Sequence, residues 1–106
     1  MHQGSFIDGR WETSGAERLE VISPNDGACV FTTPFDPIHA DQAITAARRA
    51  APAWAALTRS QRADALKSVQ TELAAREERI AEAIAREVGK PLWEARMEAK
   101  GLAPRI

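Results

Sequence analysis

The chain has 106 residues, with 14 basic and 15 acidic side chains and a net charge of −1, which leaves no global field to draw nucleic acid or an anionic membrane. Residues 1–38 hold Arg10 and Arg18 against six acids, whereas residues 39–106 hold twelve bases against nine acids; solvated helix faces account for so mild an asymmetry. The apolar share of 44% is globular, but aromatics are only 6% and alanine supplies 21 residues, so helices can pack closely while burying little area per residue. The single cysteine excludes an internal disulfide, and the chain shows neither a basic region followed by an apolar run at Met1–Ser5 nor a long apolar window. A cytoplasmic protein with no membrane segment is expected.

The first elements have strand character. Phe6-Ile7 and Arg10-Trp11 flank Asp8-Gly9, a pair that accepts the positive φ angles of a tight hairpin turn. Arg18 to Ser23 alternates polar and apolar residues, Pro24-Asn25-Asp26-Gly27 is a dense turn signal, and Ala28 to Thr33 resumes the strand pattern; a second hairpin is expected. Two hairpins with so few large residues are marginal unless something covers them.

From Asp36-Pro37 the period becomes helical. Ala40, Ala43, Ile44, Ala47, Ala50 and Ala51 form one stripe, and Pro52 is expected to end or kink this helix near Ala51 because it lacks an N–H donor. Trp54, just beyond, is expected to pack against a neighbouring element. Thr58-Arg59-Ser60-Gln61 matches a capping box. The helix it opens carries Ala63, Leu66, Val69 and Leu73, then Ile80, Ala83, Ile84 and Val88, with an Ala-Ala-Arg junction at 74–76 where it can divide. Gly89-Lys90-Pro91 closes it, glycine suiting a left-handed C-terminal position and proline the first turn of a further helix over Leu92 to Ala99. The fold class is therefore α+β: two short β-hairpins over residues 1–38, then about three α-helices over residues 39–106.

The chemistry-bearing residues form no constellation. Cys29 lies mid-strand with neither His2 nor His39 at a recognisable spacing, and a small buried hydrophobe is the expected role for such a thiol. The same spacing gives no zinc or haem ligand set. Gly89-Lys90 lacks the first glycine, the spacer and the following Ser or Thr of a phosphate loop, and no G-x-G-x-x-G occurs. Glu77, Glu78, Glu82 and Glu87 alternate with Arg76, Arg79 and Arg86 at spacings that make i,i+3 and i,i+4 pairs on a solvated face. Trp11, Trp54 and Trp93 are too scattered for a base-stacking platform and read as packing anchors. No catalytic or cofactor-binding residue is assigned.

Four stretches in register carry a resemblance. Phe6-Ile7-Asp8-Gly9-Arg10-Trp11, Val21 through Gly27, Ala46-Ala47-Arg48 through Trp54, and Arg86-Glu87-Val88-Gly89-Lys90-Pro91 together resemble the opening of an aldehyde dehydrogenase. Within that superfamily, Ala85 through Ala95 most resembles the succinylglutamate semialdehyde dehydrogenases of arginine catabolism. The resemblance implies an N-terminal portion of the family's α/β fold and an incomplete part of its cofactor-binding domain. It implies NAD(P)-dependent oxidation of an aldehyde in the full-length parent, with NAD or NADP bound there and none in this chain. The nucleophilic cysteine, its asparagine partner and the general base come after the matched region in the family, so Cys29 does not correspond to the nucleophile. It further implies a monovalent-cation site, with backbone carbonyls at Val21 and Ile22 and a carboxylate at Glu87, where this sequence has Glu instead of the commoner Asp.

Two functional expectations follow. In the first, the chain is an N-terminal dehydrogenase segment that is inert alone, its partner being the remainder of the dehydrogenase or another copy of itself in a homo-oligomer. In the second, it is a stand-alone helical interaction module that self-associates or binds another dehydrogenase chain. Both leave the stripe through Leu66, Val69 and Leu73 exposed or covered by another copy.

Overall fold

The computed structural model describes residues 4–106 and divides into two compact units, one of residues 4–22 and 29–56, the other of residues 23–28 and 57–106. His2 lies outside the described residues.

In the first unit, β1 (Ser5–Ile7) and β2 (Arg10–Glu12) form an antiparallel hairpin with Phe6 opposite Trp11. Asp8 at φ 53° and Gly9 at φ 80° make the turn, the double positive φ that matches the right-handed twist of the strands. The Phe6 and Trp11 rings meet edge to face at 5.1 Å. A second antiparallel pair joins β3 (Glu17–Ile22) to β4 (Cys29–Phe35). Its register steps between Val21, opposite Phe31, and Ile22, opposite Cys29, so Val30 is the extra residue of a bulge.

Helix α1 (Ile38–Ala56) begins where the Asp36 carboxylate accepts the Ile38 N–H at 3.0 Å, satisfying one of the donors a helix start leaves open. Pro52 lies inside this helix, which runs on to Ala56 instead of ending near Ala51. The position is solvent-exposed, so water can satisfy the Arg48 carbonyl that a proline leaves without its donor, and the alanines on both sides favour continuation. β1 packs on α1 through Ile7, which is buried. Ser5 Oγ lies 3.1 Å from His39 Nδ1, and the Asp8 carboxylate pairs with the Arg49 guanidinium.

The second unit starts from the turn of residues 23–28. Ser23 donates its N–H to Ala28 O at 2.9 Å, Gly27 donates to Ser23 O at 2.9 Å, and Asp26 Oδ1 accepts the Ala28 N–H at 3.1 Å. Helix α2 (Arg59–Ala75) opens on the expected capping box: Gln61 N–H donates to Thr58 Oγ1 at 3.3 Å and Thr58 N–H to Gln61 Oε1 at 2.8 Å. At Arg76, φ −112° and ψ 12° break the helix. Its continuation is a separate helix, α3 (Glu77–Val88), followed by α4 (Leu92–Lys100) and a single 3-10 turn at Ala103–Arg105. The described residues thus form four α-helices, the second expected helix dividing at the Ala-Ala-Arg junction. Gly89 ends α3 at φ 73°, donating its N–H to Ala85 O at 3.0 Å.

The buried centre of this unit is small. Ala81, Ala95 and Ala99 are enclosed where α3 meets α4, with Ile80, Ile84 and Ala85 packed against them. Arg96 clamps Glu78 from α4 to α3 through two guanidinium nitrogens, at 2.9 Å and 2.6 Å, and Gln70 Nε2 donates to Ala103 O at 3.0 Å. No large side chain among the described residues is fully buried. Of the stripe through Leu66, Val69 and Leu73 on α2, Leu66 and Val69 are exposed and Leu73 is half-buried.

Candidate functional site

The residues singled out in the sequence belong to different elements. Val21 is half-buried in β3, and Ile22, next to it across the register step, is exposed; both belong to the first unit. Glu87 is an exposed residue of α3 in the second unit. No group of three or more His, Cys, Asp or Glu side chains able to hold a metal ion occurs among the described residues.

Cys29 is exposed rather than buried, its Sγ 3.7 Å from Thr32 Oγ1. The reason is positional: it opens β4 in a two-stranded ribbon, a sheet too small to cover both of its faces. His39 is only 7% exposed, and its Nδ1 is engaged by the Ser5 hydroxyl, so the ring ties β1 to α1. The tryptophans are less enclosed than packing anchors would be. Trp11 and Trp54 are about half-exposed and Trp93 is 65% exposed.

The first unit contains a cleft of about 430 Å³ between the first hairpin and α1, lined by Ile7, Ile38 and Thr45 together with Arg10, Asp41 and Arg49. Its charges are largely spent on one another, since Arg10 pairs with Glu12 at 2.8 Å and Arg49 with Asp8. In the second unit the perturbed groups are structural. The Ser23 hydroxyl and the Ala28 N–H hold the Asp26 carboxyl below its usual range. Arg96 does the same for Glu78, while Glu98, 2.5 Å away, raises the Lys90 ammonium.

Gly89-Lys90 does not form a pyrophosphate cradle. A pyrophosphate cradle places glycines after a strand and presents the N–H groups of a helix start. Gly89-Lys90 instead follows the C-terminus of α3 and not a strand, so the strand–glycine–helix order of such a cradle is not met there.

What the arrangement does match is a family. The model of the aldehyde dehydrogenase family matches residues 11–105. The chain belongs to the aldehyde dehydrogenase family. Over 104 residues it is 36% identical to the N-succinylglutamate 5-semialdehyde dehydrogenase of Paraburkholderia xenovorans, covering 95% of this chain and 21% of that protein. In structure it is similar to an NADP-dependent enzyme of Escherichia coli, with a TM-score of 0.90 and 33% identity over 96% of this chain and 22% of that one. A betaine aldehyde dehydrogenase of Staphylococcus aureus, solved with NAD+, gives a TM-score of 0.88 at 25% identity, again over 96% of this chain and 22% of its own. The chain thus spans about a fifth of the length of the dehydrogenases it matches. Its two antiparallel strand pairs and four helices correspond to an N-terminal portion of the aldehyde dehydrogenase fold, and the resemblance to succinylglutamate semialdehyde dehydrogenases holds along the whole chain. The stand-alone interaction module is the less favoured reading, because both the strand pairs and the helices follow the dehydrogenase pattern.

Proposed function

We propose that this chain serves as the opening structural segment of an NAD(P)-dependent dehydrogenase that oxidises succinylglutamate semialdehyde to the acid. The observation that carries this reading is the 36% identity over 95% of the chain to a succinylglutamate semialdehyde dehydrogenase. The segment's contribution is architectural. It supplies two strand pairs and an alanine-centred helix pair, while cofactor and aldehyde are handled by the rest of the parent enzyme. Its partner is that remainder, or another copy within a homo-oligomer, in the cytoplasm. Exposed Leu66, Val69, Trp93 and Met97 support a covering partner, and no helix among the described residues is long and apolar enough to cross a membrane.

The test is a segment exchange. The 106 residues replace the matching portion of the Paraburkholderia enzyme, and NAD+ and NADP+ reduction is followed with succinylglutamate semialdehyde and with unrelated aldehydes. The chimera is expected to oxidise the semialdehyde, and the isolated chain to show no turnover. A soluble, folded chimera without activity, or cysteine-dependent turnover by the isolated chain, would overturn the proposal.

A further inference from the structure

We draw no further inference here: the strongest candidate, the apolar stripe on α4 carried by Trp93 and Met97, 65% and 67% exposed, is an unpartnered helix face, and nothing in the structure shows what covers it.

Discussion

Replacing Gly89 by alanine separates two costs that the sequence alone cannot distinguish. Gly89 sits at φ 73°, and a Cβ built there would meet Pro24 Cγ at 2.5 Å and Asn25 Oδ1 at 3.2 Å. The left-handed backbone costs an alanine roughly 1–2 kcal/mol, and forcing a methyl into occupied space typically adds about 1–3 kcal/mol. Gly27 provides the control within the same unit: its φ is 72°, yet nothing lies within 4 Å of its added Cβ. G27A should therefore lose only the backbone term, and G89A a total of about 2–5 kcal/mol on the same reasoning. Urea unfolding of the isolated chain, followed by far-ultraviolet circular dichroism, measures both. Pro24→Ala removes the nearest atom, so adding it to G89A should return part of the loss without changing G27A. Equal destabilisation by G89A and G27A, or no recovery in the double variant, would refute the close approach of the turn to the end of α3.

Three further outcomes are expected. Thr58→Ala should destabilise α2 by about 1 kcal/mol because the Gln61 N–H loses its acceptor, whereas Thr58→Ser should retain most of the stability; equal losses in thermal melts would discount the cap. Pro52→Ala restores a donor for the Arg48 carbonyl in mid-α1 and should stabilise the helix by up to about 3 kcal/mol; a lower melting temperature would show that the proline is required there. Asp26, held low first by the Ser23 hydroxyl and then by the Ala28 N–H, contributes stability that is present above its unfolded-state pKa and disappears as pH falls through the depressed folded value. Side-chain carboxyl NMR titration should find it below the usual carboxylate range and rising in Ser23→Ala; an unchanged value in that variant would exclude the hydroxyl as the cause.

Local signals with a steric or hydrogen-bonding basis were legible in the chain. Asp8-Gly9, the Thr58–Gln61 box and Gly89 each act within a few residues, so the conformation they demand survives whatever packs around them. Burial was less legible. Cys29 reads as a core residue and lies exposed, and Trp93 reads as an anchor and stands open to solvent, because enclosure depends on a neighbour that sequence spacing does not supply. Pro52 failed as a stop signal for a related reason: a helix interrupter is decisive where the freed carbonyl would be buried, and here Arg48 and Pro52 are both exposed, so water can satisfy it.

The sequence by itself determined the element order, the turn and cap chemistry, and, through four motifs in register, membership of the aldehyde dehydrogenase family. Only the tertiary structure decided that Ala81, Ala95 and Ala99 form the buried centre of the helical unit while Leu66, Val69, Trp93 and Met97 remain outside it. The physical reason is that small side chains let two helices approach closely, so α3 and α4 enclose alanines with Ile80 and Ile84 packed against them, while Trp93 and Met97 stay on the exposed face of α4.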